Sequence, residues 1–542
     1  MSKGGRKRVE RDGRAATVEV SVHPDALLDD EALRRAAAKA AGLRDADVRG
    51  VHVLRRAIDA RRGRVRMHLE LAIDLPGMPY RAEVVAPYDL PALGGEPEVA
   101  IVGAGPAGMF CALELAKAGV RSTILERGKQ VQPRRHDLAA LAKHGVVDPD
   151  SNYCFGEGGA GTFSDGKLYT RADKRGDVGD VLRAFVAYGA PPEVLVDARP
   201  HIGTNRLPRV ITAMREHLEH AGVTFAFETR AEGLVVDSGR VVGLRLSGAD
   251  TLAVRAVVLA PGHSARDVHR WLADADVALA FKPFAIGVRV EHPQALVDRL
   301  QYGALAGHPA LGSASYRIVE QACGVGVFSF CMCPGGFIVP AATAPAEQVV
   351  NGWSPSSRRG RFANSGFVVE VGAELVTASG RSVADPLAGV GFQAELEHRA
   401  YAAGGGGFVA PAQRIDDFVA QRPSRELPDC SYPRGVVPVE LDAVLGPLAA
   451  PIRAALAHVG TRMPGFVGDS GIAVALESRT SSPVRIERDD EGASASHPGL
   501  WPCGEGAGQA GGIMSAALDG IRVARAIARA LGHATPGPRA SG

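Results

Sequence analysis

The chain has 542 residues, 46% of them hydrophobic and 23% charged, with a formal net charge of +2. That length exceeds a single hydrophobic core and asks for two or three domains of ordinary globular composition. Near-balanced charge excludes a globally basic or acidic surface as the basis of partner choice, and no apolar run reaches the roughly 18 residues of a membrane span.

Seven cysteines, scattered and odd in number, suit a reducing cytoplasm better than a disulfide framework. Residues 1–14 are basic and polar with no apolar stretch behind them, so they read as a disordered tail rather than a signal peptide, and the expected location is cytoplasmic. From about residue 15 to 92 the pattern is a small α+β unit. Thr17–Val22 alternates as a strand, Asp30–Ala41 is a helix, and Val51–Leu54 and Val65–Ala72 are two more strands. Between them Arg55–Arg64 reads as a hairpin crowded with positive charge, either solvated or steering an acidic partner or RNA. Pro87–Gly95 is a linker by its Pro and Gly content.

The segment from Glu98 to Gly128 carries the most information. The run Val99–Val102 is a buried strand, Gly103-Ala-Gly105-Pro106-Ala107-Gly108 a glycine-rich turn, and a helix pattern continues to Gly119. A second strand, Ser122–Leu125, ends at Glu126, 18 residues past Gly108. Gly103 permits the tight turn, Gly105 lets the backbone approach a pyrophosphate, and Gly108 lets the helix lie close on the strand. Pro106 suits the first helical turn. The helix N-terminus offers N–H groups to phosphates, and Glu126 can accept ribose hydroxyls. This is a dinucleotide site, the alternative being a structural βαβ unit with a turn glycine.

A second glycine-rich stretch, Asn152–Lys167, lets backbone amides face a flat ligand, and Lys167 can bring charge to it. Phe155 and Phe163 argue against a freely solvated loop. Helix Leu207–Ala221, strand Val223–Phe227, a hairpin of Leu234–Val236 with Val241–Leu246 across Asp237–Arg240, and strand Ala256–Ala260 follow in the order of a flavoprotein FAD domain. From about residue 273 to 467 the pattern becomes mixed strands and loops with few long helices, which suggests an inserted substrate-side domain. A third glycine-rich stretch, Gly504-Glu505 with Gly511-Gly512-Ile513, closes a strand and opens a helix from Ile513 to Leu531. There the carboxylate meets ribityl hydroxyls and the helix N-terminus faces the flavin N1–O2 edge.

Cys331-Met-Cys333 lies in an extended apolar segment, where residues i and i+2 share a face. The two thiols are packed core groups or an acid or redox partner beside the flavin; no further ligands at metal spacing are evident, and no metal is expected. His263 follows a strand end and is catalytic or structural. Arg479 binds a substrate carboxylate or pairs with Glu477 or Asp469. Lys282 and Arg289 permit the same two readings.

The chain resembles the bacterial FAD-dependent dehydrogenase-like proteins, a branch of the glutathione-reductase-type flavoproteins. The resemblance rests on the fingerprint at 103–108, FGEGGAGTFSDGKL (155–168), PHIGTN (200–205), VVLAPGHSARD (257–267) and KPFAIGVRVEHPQ (282–294). It continues in FSFCMCPGG (328–336), NGWS (351–354), ANSGFVVEV (363–371), ESRTSSPVRI (477–486) and WPCGEGAGQAGGIMSAALDGI (501–521). Pro261 stands where such proteins usually carry Thr. The resemblance implies an α/β protein with a Rossmann-like FAD-binding domain of glutathione-reductase type in two parts (93–272 and 468–535), an inserted α+β substrate or cap domain (273–467), an N-terminal ferredoxin-like βαββ domain (15–92) and a C-terminal tail (536–542). It further implies that Gly103, Gly105, Pro106, Ala107 and Gly108 meet the pyrophosphate from one side and Gly161 and Thr162 from the other. Glu126 and Arg127 would meet the adenosine ribose, Ala231 the adenine edge, and Gly262, Gly504, Glu505, Gly512 and Ile513 the ribityl–isoalloxazine end. Cys331, Cys333 and His263 are the catalytic candidates. The expected activity is hydride transfer between a small-molecule substrate and FAD. No second fingerprint marks a nicotinamide domain, so NAD(P)H would visit transiently, or an electron carrier would serve. Nucleic acid is not an expected partner. An RNA-modifying flavoprotein and a redox sensor are the alternatives.

Overall fold

A computed structural model describes residues 16–170 and 176–535. Both terminal tails, read as 1–14 and 536–542, lie outside the described residues.

The N-terminal unit is an antiparallel sheet of Ala16–Val22, Gly50–Asp59 and Arg66–Asp74, the third strand lying between the other two. Helix Asp30–Ala41 packs on it. Asp29 caps the helix by accepting from the N–H groups of Glu31 and Ala32, and Gly42 ends it at φ 71°. Leu33, Ala37 and Ala38 face Val18, Leu69 and Leu71 in one buried cluster. The arginine-rich stretch forms the expected hairpin, its first strand running on to Asp59 with a bulge between Val53 and Arg55 and its turn at 60–65. Two of its arginines are paired within the molecule. The Arg56 N–H donates to Val196 O and its carbonyl accepts from Ala198 N, its guanidinium pairs with Asp197, and Arg61 pairs with Asp59.

Five short parallel strands form the second sheet, in the order 500–502, 256–259, 99–102, 122–125, 224–226. All four residues of Val99–Val102 and of Ser122–Leu125 are buried, as expected where helices cover both faces. Helices Pro106–Lys117 and Ile513–Leu531 lie side by side on one face. A Cβ on Gly520 would come within 2.2 Å of Ala107 O, so this crossing needs glycine. A three-stranded antiparallel meander, Ala231–Asp237, Arg240–Leu246 and Thr251–Ala253, flanks the sheet.

The third sheet has eight strands. Its spine is Val325–Pro340, Phe362–Val371, Phe284–Pro293 and Ile472–Glu477, antiparallel throughout. Strand Ile472–Glu477 thus joins this sheet from beyond residue 467. A two-stranded link of Leu279–Phe281 with Val484–Ile486 leads back to the parallel sheet. Two long helices, Ala388–Ala403 and Ala449–Arg462, occur in a region read as having few. The first hid because it is buried on several sides, so its apolar residues do not form one stripe. The stretch 441–462 has the length and mean hydropathy (1.3) to cross a membrane. Here it forms two helices, Leu441–Leu445 and Ala449–Arg462, around a 3-10 turn at Gly446–Leu448, and lies half-buried against the large sheet. That sheet and the N-terminal unit share one continuous apolar core.

Candidate functional site

The C-terminal ends of the parallel strands open on a cavity of about 380 Å³. Segments from all three glycine-rich stretches line it. Gly103, Gly105, Pro106 and Ala107 form part of its wall, with Gly161, Glu505, Gly512 and Ile513. The same wall holds Glu126, Arg127, Ala231, Gly262, His263 and Cys331. Gly108, Thr162, Gly504 and Cys333 stand behind it. Gly108 is a packing residue: a Cβ there would lie 2.0 Å from Gly103 O. At Gly103, φ is 102° and a Cβ would meet Ala260 O at 2.3 Å. Gly105 differs, since its Cβ would meet only Gly159 Cα at 3.9 Å, and nothing lies within 4 Å of one on Gly511 or Gly512. The backbone is therefore bare where a ligand would touch it, and the N-terminus of helix Ile513–Leu531 opens on that space.

Glu126 is buried and already engaged. Its Oε2 accepts from Ala104 N, and its Oε1 from Gly128 N and Gly156 N, each at 2.9 Å. It thereby ties the first glycine turn to the second glycine stretch. Arg127 bridges Asp150 and Asp267 and lies 4.4 Å over the Phe155 ring.

The second stretch is held from behind by Arg134, a fully buried residue that sequence reasoning passed over. Its guanidinium donates to the carbonyls of Asn152, Glu157, Tyr153 and Gly159 at 2.8–2.9 Å. Glu157 in turn accepts from Val131 N and pairs with Arg215. An arginine in an otherwise ordinary helix gives no local signal, because its partners lie 18 to 25 residues away.

One end of the cavity carries Lys167 and Cys331. Lys167 Nζ lies 3.1 Å from Asp165 Oδ2, 3.5 Å from Cys331 Sγ and 3.6 Å from Cys333 Sγ. Burial disfavours the ammonium, yet Asp165, Cys331 and Cys333 together outweigh it and raise its pKa. Asp165 also pairs with Arg358. A hydrogen bond between the thiols holds Cys331 well below the ordinary thiol range and Cys333 well above it.

At another point His263 meets Ser264 Oγ through Nδ1 at 2.8 Å. Burial, aided by the nearby Arg479 charge, lowers its pKa to about 4, so the imidazole is neutral at pH 7. Arg479 is an ion-pair residue, but not with Glu477 or Asp469. It pairs with Glu397 at 2.7 Å and Glu347 at 2.8 Å, and Arg266 pairs with the same two carboxylates at 2.9 Å. Two cations thus balance two anions, and against the effect of burial they hold Glu397 down to about 2. Arg479 Nη1 is buried without a hydrogen-bond partner. Glu477 belongs to Arg289, 3.3 Å away. Burial raises Glu505 to about 7, opposed by the Gly512 N–H and by Lys282, whose own pKa burial lowers. Among the described residues no group of three or more His, Cys, Asp or Glu is placed to hold a metal.

Parallel strands, bare glycine backbone and a helix N-terminus around one cavity define a dinucleotide-binding protein, and the family models make it an FAD-dependent one. Residues 96–139 match an FAD binding domain, 283–480 the C-terminal domain of FAD-dependent proteins, and 15–74 a domain of unknown function. An uncharacterised protein of Clostridium beijerinckii is 39% identical over 432 residues, covering 79% of this chain and 80% of its own length. The chain belongs to that family of bacterial FAD-dependent dehydrogenase-like proteins, and its cofactor is FAD. Among solved structures it is similar to a glycerol-3-phosphate dehydrogenase from Bacillus halodurans complexed with FAD, at 11% identity and a TM-score of 0.36, covering 82% of this chain and 67% of that one. It is also similar to a glycine oxidase from Geobacillus kaustophilus, at 16% identity and a TM-score of 0.31, covering 80% and 94%.

Proposed function

We propose that the protein oxidises or reduces a small molecule by hydride transfer to or from FAD held along this cavity. The observation that carries the reading is the meeting of three distant glycine-rich stretches around one space. Gly103, Gly105, Pro106 and Ala107 would receive the pyrophosphate opposite Gly161, with Gly108 and Thr162 supporting that cradle from behind. A carboxylate offers about four lone-pair sites. Glu126 spends three on backbone amides and keeps one for a ribose hydroxyl. Arg127 and Ala231 would border the adenosine. Gly262, Gly504, Glu505, Gly512 and Ile513 would hold the ribityl and ring end.

Bound there, FAD supplies a two-electron acceptor and donor of hydride. The chain's own part is to exclude water, orient the substrate and handle the proton. Cys331 Sγ is the group we assign to that proton, with Cys333 behind it. His263, neutral at pH 7, offers a hydrogen bond rather than a charge. The domain reading follows the same logic. The glutathione-reductase-type FAD domain would comprise the parallel sheet with its meander, the large sheet would form the substrate side, and the βαββ unit would be a ferredoxin-like accessory. NAD(P)H or an electron carrier would reach the flavin without a domain of its own.

Purified protein titrated anaerobically tests this. The expected result is a yellow protein with FAD at one equivalent, bleached by dithionite and recovering its colour in air. Folded protein that is colourless and refuses added FAD overturns it.

A further inference from the structure

Strand Val325–Pro340 breaks its ladder with Phe362–Val371 between Phe330 and Cys333 and again before Gly336. At the first break Cys331 takes φ 45°, a left-handed conformation uncommon for a non-glycine residue. The bulge brings both thiols to a single ammonium, Lys167, at 3.5 and 3.6 Å. Cys331 reaches the cavity wall, while Cys333 is wholly buried, its Sγ 3.2 Å from the Cys331 carbonyl.

Around the pair stand three cations and two carboxylates. Lys167 and Asp165 come from the second glycine stretch, and Arg358 pairs with Asp165. From the large sheet come Arg289, which donates to Cys331 O at 3.0 Å, and its partner Glu477. The phenols Tyr153 and Tyr316 also face the thiols, and burial keeps both protonated. His201, beside Asp165, is kept neutral by burial and by Arg358. With both thiols protonated the cluster holds one unbalanced positive charge in a poorly solvated place, where a lone charge is expensive. One thiolate closes the count. Protonation of Glu477, which burial raises to about 7, only enlarges the surplus.

We propose that Cys331 and Cys333 share one proton, and that Lys167 and Cys333 are positioning residues that keep Cys331 as a thiolate in the cavity. The assignment rests on the oxidoreductase reading for its purpose but not for its test.

Alkylation by iodoacetamide reports the thiolate directly: the sulfur lone pair forms the S–C bond as C–I breaks and iodide leaves. The rate at Cys331 is followed by peptide mapping from pH 5 to 10, with the exposed Cys323 as reference, in protein stripped of FAD. At pH 6.5 an ordinary thiol is only about 1% thiolate. Cys331 is expected to react at least tenfold faster than Cys323 there, with its midpoint below pH 7. Lys167→Met moves the midpoint up by more than one pH unit, Lys167→Arg restores it, and Cys333→Ala raises it by removing the shared proton's donor. A wild-type midpoint at or above pH 8.5, or the same midpoint in Lys167→Met and Lys167→Arg, overturns the assignment. Should Lys167→Met fail to fold, the wild-type and Cys333→Ala profiles decide. FAD uptake by the same samples is read from the flavin band. A thiolate without flavin binding would sink the flavoprotein reading alone, and flavin binding without a thiolate this inference alone.

Discussion

Arg134 holds together a site whose ligand it never approaches. Four carbonyls of the second glycine stretch accept from one guanidinium. Glu157 O and Gly159 O also accept from Thr162, but Asn152 O and Tyr153 O would be left as buried acceptors without a donor, at about 1–3 kcal/mol apiece. Arg134→Met is therefore expected to weaken FAD binding by more than tenfold, measured by quenching of flavin fluorescence. Arg134→Lys should not rescue it, because an ammonium cannot address four carbonyls in one plane. A second residue sets a pH dependence. His292 is wholly buried and donates through Nε2 to Phe466 O at 2.8 Å, and burial lowers its pKa to about 4. Its folded pKa lies below its unfolded value of about 6.5. The stability it contributes is thus complete above that value and is lost as pH falls toward 4. His292→Gln, which keeps a donor and cannot titrate, should lose less stability than wild type between pH 7 and pH 5, by about 2 kcal/mol. Urea denaturation at the two pH values reads the difference, and parallel losses would refute it. At this scale the sequence was informative where a residue type is unusual in its place, as with the glycines, Glu126 and the Cys331–Cys333 pair. It was silent on Arg134, on the Arg266–Glu347–Glu397–Arg479 network and on the role of Arg358, whose partners come from distant parts of the chain.

Elements carried a stronger signal when their burial is one-sided or complete. Helices Leu207–Ala221 and Ile513–Leu531 run over the residues their apolar spacing and flanking glycines indicate. Ala388–Ala403, packed on several sides, has no stripe to read. Register is less legible still: nothing local announces the bulge that turns Cys331 toward Lys167. The crossing of Pro106–Lys117 with Ile513–Leu531 offers a test of how elements set the site. Both helices begin at the cavity, one at Pro106 and the other at Ile513. Their contact depends on Gly520, where a Cβ would lie 2.2 Å from Ala107 O and 3.1 Å from Cys111 N. Those atoms are backbone and cannot step aside. Gly520→Ala should push the helices apart, costing about 1–3 kcal/mol by overpacking, and should lower FAD affinity although residue 520 is no part of the cavity wall. Arg529→Ala, near the exposed end of the same helix, should change neither. Equal FAD affinity in wild type and Gly520→Ala would show that the helix N-termini do not position the cofactor.

For the molecule as a whole, the question is whether the N-terminal unit is an appendage. Its pattern of strands and helix is legible, and so is the linker that follows. What the sequence conceals is where the apolar face of that small sheet goes. It continues into the core of the eight-stranded sheet. Asp25 pairs with His308 at 2.8 Å, and Arg56 binds the chain at 196–198 through both main and side chain. A unit of about 60 residues buries too little surface to stand securely alone, so its stability should be that of the partner it packs on. Leu71 lies wholly buried in the shared core, and Leu71→Ala should cost about 2–5 kcal/mol. The three tryptophans, Trp271, Trp353 and Trp501, all lie outside the unit. If the core is continuous, the substitution lowers the temperature at which tryptophan fluorescence changes and FAD is released, and the two signals move together as one transition. An independent appendage predicts the opposite: an early loss of circular dichroism from the small unit, with the tryptophan and flavin signals at their wild-type temperature.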